Sequence, residues 1–171
     1  AAADLLLVRS SADVLRQTRP WQTRVYLDLA KRDSLEESDV FLQVDSTFLW
    51  IYFFDLNEDG VRDICLSSWV LDLGLLGRGA PQVEHKVTGF LSNLGTWSTR
   101  AAFAWSRTFQ VDEFESLVSM DTFVADLTGD GQPNLLERST AGSLEIRRFL
   151  PSSNGVKIAD EIAAEIPINA L

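Results

Sequence analysis

Cysteine and histidine are almost missing from this chain. Its 171 residues include one cysteine, Cys65, and one histidine, His85. A single cysteine excludes an internal disulfide framework, and a single histidine excludes most zinc sites and any catalytic arrangement rich in histidine. Cys65 stands in the apolar run 64–66, where we expect a buried and unreactive thiol.

Positive charge and long apolar runs are also scarce. The chain has 15 basic residues against 25 acidic ones, which gives a net charge of −10. A surface of this sign repels nucleic acid and anionic membrane faces, and it favours divalent cations as small partners. No apolar run approaches the roughly 18 residues that a membrane-spanning helix needs, so we predict no membrane span. The start of the chain lacks the basic flank and cleavage pattern of a signal peptide, although a cleaved signal would leave no trace.

The residues that are abundant indicate a folded, β-rich protein. Hydrophobic residues make up 46% and charged residues 23% of the chain, which is a globular composition. Aromatic residues reach 10%, with five tryptophans, a level more common in β-rich chains than in helical bundles. Core packing is the commoner explanation for most of these tryptophans, and an exposed one is needed before a carbohydrate or protein site is argued.

Three segments of the chain share one pattern, in which Asp or Asn precedes a short apolar run. The pattern begins at Asp4, Asp63 and Asn134, which are 59 and 71 residues apart. The second and third copies each follow an Asp-rich turn that contains glycine, and before that turn stands another short apolar run, at 48–54 and 120–125. The unit is therefore strand, acidic turn, strand. A unit of this length with several strands is typical of a β-propeller or another repetitive array of sheets.

Short strands are predicted for much of the remaining chain. Further strands are expected at 21–29, 101–109 and 143–149, and loops at 77–81, 93–95 and 151–155. The run 48–54 is expected to be buried on both faces, because every residue in it is apolar or aromatic. Helix is possible at 112–119 and at 158–165, although neither stretch has strong caps.

The first acidic turn reads D-L-N-E-D-G-V-R-D and carries more oxygen ligands than a turn needs. Asp55, Asn57, Asp59 and Asp63 stand at positions one, three, five and nine, and the carbonyl of Val61 adds an oxygen at position seven. Ca²⁺ takes about six to eight hard oxygen ligands, and a tight loop with glycine at position six brings alternate side chains to one point. An ordinary Asp-Gly hairpin turn would explain only Asp59 and the glycine. We therefore predict that this turn binds Ca²⁺.

The second acidic turn reads D-L-T-G-D-G-Q-P-N and has a weaker ligand set. Its candidate ligands are Asp126, Thr128, Asp130, the carbonyl of Gln132, and Asn134. Thr128 and Asn134 carry no charge, and fewer charges mean a lower affinity for Ca²⁺. A purely structural turn is an equal alternative here.

An EF-hand loop begins with the same spacing and is the main competing interpretation. It requires a bidentate Glu at position twelve and a helix on either side. Position twelve is Leu66 in the first turn, within an apolar strand, but Glu137 in the second. Pro133 has no N–H to donate in the second loop, which leaves that loop ambiguous. The first loop decides against EF-hands.

The segments FFDLNEDGVRDICL and FVADLTGDGQPNLLE resemble the FG-GAP repeats, also called VCBS repeats, of integrin α-subunit-like β-propellers. The first turn matches that pattern at every ligand position, and the second departs from it at Thr128 and Asn134. The resemblance implies blades of four antiparallel strands, with Ca²⁺ in the hairpin between the first two strands. It also implies a role in adhesion, ligand recognition or assembly outside the cytosol, in an extracellular, periplasmic or secretory-pathway compartment.

The predicted fold is mainly β, with two to three four-stranded antiparallel blades of a partial β-propeller and minor helix. We expect a partial blade at 1–45, blades at 46–116 and 117–165, and the start of a further unit at 166–171. Blades of this number do not close into a propeller, so the expected partner is a protein or the remaining blades.

The predicted function is that of a non-catalytic, calcium-stabilised interaction or scaffolding module of a larger protein. An accessory portion of a larger enzyme or toxin, or an EF-hand-like calcium-binding protein, is the alternative. Catalytic chemistry has little support in the residues. The glycine-rich stretch 74–79 has the wrong spacing for a nucleotide-binding loop. His85 has only Glu84 nearby in the sequence, which is too close to orient it in a Ser-His-Asp triad.

Overall fold

The protein is built from short antiparallel strands. The structure is a computed structural model that describes residues 5–10, 18–26, 31, 33–72, 82–93, 96–110, 123–139, 143–153 and 155–167. Its strands are β1 (Leu5–Ser10), β2 (Arg19–Tyr26), β3 (Val40–Ser46), β4 (Phe48–Phe54), β5 (Asp63–Asp72), β6 (Gln82–Phe90), β7 (Ser92–Asn93), β8 (Thr96–Trp97), β9 (Phe103–Gln110), β10 (Phe123–Ala125), β11 (Asn134–Arg138), β12 (Ser143–Ser152) and β13 (Gly155–Pro167). The mainly β fold expected from the sequence is confirmed.

Three larger sheets follow one another along the chain, and each is an antiparallel meander. The first sheet has the order β1-β2-β3, the second β4-β5-β6-β9 and the third β10-β11-β12-β13. Strands β7 and β8 pair with each other and form a small hairpin between β6 and β9. The sheets span residues 5–46, 48–110 and 123–167. The units predicted from the sequence are 1–45, 46–116 and 117–165.

The main departure from the predicted elements lies in β13. The helix predicted at 158–165 is wrong, because β13 continues as one strand from Gly155 to Pro167. The unit expected to start at 166 falls inside this strand, since Ile166 pairs with Leu144. The edge of β12 offers backbone hydrogen bonds along this stretch, and these favour a strand over an uncapped helix. The helix predicted at 112–119 lies outside the described residues, and among those that are described no helix is long and apolar enough to cross a membrane.

Among the described strands, β5 has the long buried stretch that the sequence predicts for β4. Strand β4 has the predicted bounds, but Phe48 and Trp50 are 37% and 40% exposed. Strand β5 is buried at every residue from Asp63 to Trp69. Position in the sheet explains the difference, because β4 is an edge strand and β5 pairs on both sides.

The second sheet lies between the other two, and consecutive residues of β5 point to opposite sides of it. Ile64 and Leu66 pack in an apolar core shared with the first sheet, while Cys65 packs in a core shared with the third. The first core contains Val25, Val40, Leu42, Ile64, Leu66 and Phe90. The second core contains Leu56, Cys65, Val87, Phe103, Val124, Leu135, Phe149 and Val156. The three sheets therefore stack face to face in chain order.

Replacement of Leu135 by alanine should lower the free energy of unfolding by about 2–5 kcal/mol, because its fully buried side chain would leave a cavity between the second and third sheets. The matched control is Leu150→Ala in the same sheet, since Leu150 is 37% exposed. For this control we expect a loss below about 1 kcal/mol. Urea denaturation followed by tryptophan fluorescence measures both. Equal losses would show that the packing between these sheets is not as described.

A charged network joins the second and third sheets beside their shared core. Glu137 on β11 is 2% exposed and accepts a hydrogen bond from Arg107 on β9. Arg147 on β12 places Nε 3.6 Å from Oε1 of Glu137 and Nη2 2.8 Å from Oε2 of Glu145. Burial raises the pKa of Glu137, although both arginines act to lower it. Within the described residues Oε2 of Glu137 has no hydrogen-bond partner, which is consistent with this dominance of desolvation.

The raised pKa of Glu137 gives stability a defined pH dependence. The folded state holds the proton more tightly than the unfolded chain, whose carboxyl group titrates near 4.5. This contribution to stability is complete below the unfolded pKa and is lost as the pH rises through the folded pKa. We expect the wild-type protein to lose stability relative to Glu137→Gln as the pH is raised from below 4.5. Urea denaturation at a series of pH values measures this difference, and a difference that stays constant or grows in favour of the wild type would contradict the assignment.

Candidate metal centre

Acidic loop 1 (55–63) and acidic loop 2 (126–134) occupy the same place in two consecutive sheets. Each joins the first strand of its sheet to the second, from β4 to β5 and from β10 to β11. Antiparallel strands flank both loops directly, so neither has the helix–loop–helix arrangement of an EF-hand. This removes the EF-hand interpretation that the sequence leaves open for acidic loop 2.

Carboxylates of acidic loop 1 accept hydrogen bonds from the backbone of the same loop. Asp55 accepts from the N–H of Asp59 at 3.1 Å and from the N–H of Gly60 at 2.8 Å. Oδ1 of Asp59 accepts from the N–H of Val61 at 2.8 Å. The amide of Asn57 donates to Oδ2 of Asp59 at 2.9 Å. The structure thus brings the first three predicted ligands together.

Acidic loop 2 repeats most of this pattern at residues 71 positions later in the chain. Asp126 accepts from the N–H of Gly129 at 2.8 Å and from the N–H of Gly131 at 3.0 Å. Oδ1 of Asp130 accepts from the N–H of Gln132 at 3.0 Å. This bond lowers the pKa of Asp130, which is fully exposed. Two bonds are therefore common to both loops, from the N–H at position six to the carboxylate at position one and from the N–H at position seven to the carboxylate at position five. The second donor to position one differs.

The backbone enters the left-handed region at the same two positions in both loops. At position six φ is +83° in Gly60 and +85° in Gly131, and at position four it is +63° in Glu58 and +75° in Gly129. Glycine adopts such angles without a steric penalty, which explains its presence at three of the four positions. The two loops share their conformation although their sequences differ.

Asp63, the predicted ligand at position nine, is directed into the protein. Its side chain is fully buried, and its Oδ2 accepts from the N–H of Leu56 at 2.9 Å. Its Oδ1 accepts from the N–H of Ser92 on β7 at 2.7 Å. Burial raises the pKa of Asp63, and the nearby charges of Asp59 and Asp55 raise it further, while the two N–H groups lower it. Three carboxylates of this loop are therefore close enough to repel one another.

Asn134 is the residue of acidic loop 2 that is equivalent to Asp63, and its side chain has one oxygen and one NH₂ group in place of two carboxylate oxygens. Its Oδ1 accepts from the N–H of Leu127 at 2.9 Å, and from the N–H and hydroxyl of Thr128 at 3.2 and 3.3 Å. These donors fix the orientation of the amide. Its Nδ2 is buried and, within the described ranges, has no hydrogen-bond partner. The oxygen that the sequence assigns to the ion is thus already used inside the loop.

The donor set of acidic loop 1 fits a hard cation. All of its candidate ligand atoms are oxygens, which suit Ca²⁺ and exclude soft metals. In the part of the chain that the structure describes, no three His, Cys, Asp or Glu side chains are placed to hold a metal ion. The Asp63 carboxylate is buried and accepts two backbone hydrogen bonds, whereas the Asp59 side chain is exposed.

The hairpin β7–β8 belongs to the surroundings of acidic loop 1, and sequence reasoning missed it. Besides the bond from Ser92 to Asp63, the indole N–H of Trp97 donates to the carbonyl of Arg62 at 3.1 Å. The only sequence signal here is the loop predicted at 93–95. A backbone donor such as Ser92 N–H has no side-chain signature, so its role emerges only from the fold.

Ser67 and His85 form a pair that resembles a nucleophile and its base. Ser67 Oγ lies 2.8 Å from His85 Nε2, and both side chains are 1% exposed. The imidazole stacks on Trp69 and meets the edge of Trp105, with ring centroids 4.2 and 5.4 Å away. Burial lowers the pKa of His85 to about 3, so the ring is neutral. A substrate cannot reach this pair in the packed sheet, and we assign it to the core.

Comparison of the chain with protein-family models, with curated proteins and with solved structures finds no match. The interpretation of the site therefore depends on the geometry of the two loops and on the sequence pattern that they share.

Asp63→Asn should destabilise the protein by about 1–3 kcal/mol in the presence of EDTA. An amide has one oxygen, so whichever way it turns, the N–H of Leu56 or of Ser92 faces an NH₂ group. The matched control is Asp59→Asn, because Asp59 is exposed, and we expect it to cost less than about 1 kcal/mol. Chemical denaturation measures both variants. If the two cost the same, the buried carboxylate does not hold the loop in the way described.

Proposed function

We propose that this chain is a calcium-stabilised segment of a β-propeller that acts as a non-catalytic protein-interaction or scaffolding module of a larger protein. The observation that carries the proposal is the equivalence of the two acidic loops. They share backbone conformation and hydrogen bonds, and they join the first two strands of consecutive stacked sheets. An oxygen-rich turn in this position ties two strands of one sheet together without taking part in chemistry.

A cation would act on acidic loop 1 by removing the repulsion among its carboxylates. The residues that would hold it are Asp55, Asn57, Asp59 and Asp63, with the carbonyl of Val61. Asp63 would bind through lone pairs that its two N–H donors leave free, since an ionised carboxylate accepts about four hydrogen bonds. When bound, Ca²⁺ would supply positive charge and a rigid joint between β4 and β5.

Acidic loop 2 is proposed as the weaker site. Asp126, Thr128, Asp130 and the carbonyl of Gln132 would bind the ion, with Asn134 contributing less because its oxygen already accepts three hydrogen bonds. Two carboxylates in place of three lower the attraction for a divalent cation. We therefore expect acidic loop 1 to bind Ca²⁺ more tightly than acidic loop 2.

The proposed role as an interaction module is supported by the outer faces of the stack. Alternation along the strands directs Leu7 and Phe41 away from the second sheet, and each is 43% exposed. On the third sheet it likewise directs Leu150 outward, next to the core residue Phe149, and Leu150 is 37% exposed. Ile162 and Ile166 of the same sheet are 39% and 37% exposed. Apolar faces of this kind fit further blades or a protein partner. The resemblance of the loops to FG-GAP repeats supports the same role and a location outside the cytosol, where Ca²⁺ is abundant enough for weak sites.

Calcium binding is tested by calorimetric titration and by thermal unfolding with Ca²⁺ or EDTA. We expect Ca²⁺ to raise the free energy of unfolding by about 2–3 kcal/mol at a hundredfold excess over its Kd. The variants are Asp59→Asn and Asp130→Asn, which change the equivalent position of each loop, and the first should reduce the Ca²⁺ effect more. Asp45→Asn is the control, because Asp45 is exposed on β3, in the sheet that contains neither loop. If millimolar Ca²⁺ gives neither heat nor a shift in the unfolding temperature, the calcium proposal is wrong.

A further inference from the structure

The hairpin β7–β8 contacts acidic loop 1 at two consecutive residues. Ser92 N–H donates to Oδ1 of Asp63 at 2.7 Å, and the indole N–H of Trp97 donates to the carbonyl of Arg62 at 3.1 Å. The indole also packs against Phe53 near the end of β4, with ring centroids 6.1 Å apart. The hairpin therefore touches the ligand at position nine, the residue before it, and the strand that leads into the loop.

Acidic loop 2 has no such hairpin in the described residues, and the course of the third strand explains why. In the second sheet, β6 ends at Phe90 opposite Ile64, and the chain leaves the sheet before β7. In the third sheet, β12 continues past Asn134, which it meets at Arg148, and ends only at Ser152. Where Asp63 offers an acceptor to the hairpin, Asn134 has the buried Nδ2 described above.

We propose that the β7–β8 hairpin is part of the cation site of acidic loop 1, with Ser92 and Trp97 as positioning residues for its ligands. This inference rests on the proposed calcium binding. Arg62 separates the ligand carbonyl of Val61 from the ligand carboxylate of Asp63, so a hydrogen bond that fixes its carbonyl restricts the backbone between two ligands. The hydrogen bond from Ser92 N–H, at 2.7 Å, fixes the orientation of the Asp63 carboxylate in the same way.

The energetic consequence is that the ion and the hairpin stabilise each other. Partners of the ligands that do not touch the metal tune its affinity, and a site that is already ordered loses less freedom when the ion binds. If the two hairpin bonds favour Ca²⁺ binding, then Ca²⁺ must favour the hairpin by the same factor. Ca²⁺ binding to acidic loop 1 is thus expected to stabilise a neighbouring element, the β7–β8 hairpin.

The test uses the full chain with Asp130→Asn, which weakens acidic loop 2 so that acidic loop 1 dominates the titration. Trp97→Phe removes the indole donor and keeps an aromatic ring against Phe53. Its matched control is Trp21→Phe, because Trp21 also donates its indole N–H to a backbone carbonyl, that of Ser46, at 3.1 Å. We expect Trp97→Phe to weaken Ca²⁺ binding about twofold to tenfold, as for the loss of one neutral hydrogen bond. Trp21→Phe should leave the Kd unchanged.

A second measurement follows the hairpin itself. Hydrogen exchange at the Ser92 amide should slow on addition of Ca²⁺, and the tryptophan fluorescence that is lost in Trp97→Phe should respond to Ca²⁺ in the parent chain. A purely structural hairpin would lose stability in Trp97→Phe without a change in Kd. If Ca²⁺ binds but Kd and Ser92 exchange are insensitive to these changes, the inference is wrong and the proposed function stands. If Ca²⁺ does not bind the parent chain at all, both are wrong.

Discussion

The alternation of side chains along β5 is the constraint on which the stack of sheets depends. Ile64 and Leu66 serve the core on one side and Cys65 serves the core on the other, so this strand fixes the position of both neighbouring sheets. A shift of one residue in its pairing would exchange the two sets and disturb both cores at once. The register of β5 is held at its first residue, Asp63, whose carboxylate binds the loop before it and the hairpin that follows β6.

Acidic loop 1 therefore has a structural role even before any ion is considered. Its carboxylates accept hydrogen bonds from backbone N–H groups that a tight turn would otherwise leave unpaired. An unpaired N–H group that is shielded from water lowers the stability of the folded state. The same residue types also form the ligand set of a cation. A single amide in place of a carboxylate, Asn134 in place of Asp63, keeps the turn in acidic loop 2 but changes which atoms remain for an ion or a neighbouring segment.

The features that were predictable from the sequence are local ones. The bounds of β4 follow from an uninterrupted apolar and aromatic run, and both acidic loops follow from the spacing of Asp, Asn and Gly. The features that were not predictable depend on distant partners. The stretch 158–165 has the composition of a short helix and becomes a strand because β12 pairs with it, and Arg107 meets Glu137 across two sheets, 30 residues away. Ser92 contributes through its backbone, which no residue pattern reveals.

The position of the single cysteine has a practical consequence. Cys65 is completely buried between the second and third sheets, and burial raises the pKa of its thiol to about 12. A thiol reagent reaches it only when these sheets separate, because the reactive thiolate requires both access and a pKa near neutrality. The rate at which the native protein is labelled therefore measures how often this junction opens. Cys65 is thus a built-in chemical probe of the packing between the second and third sheets.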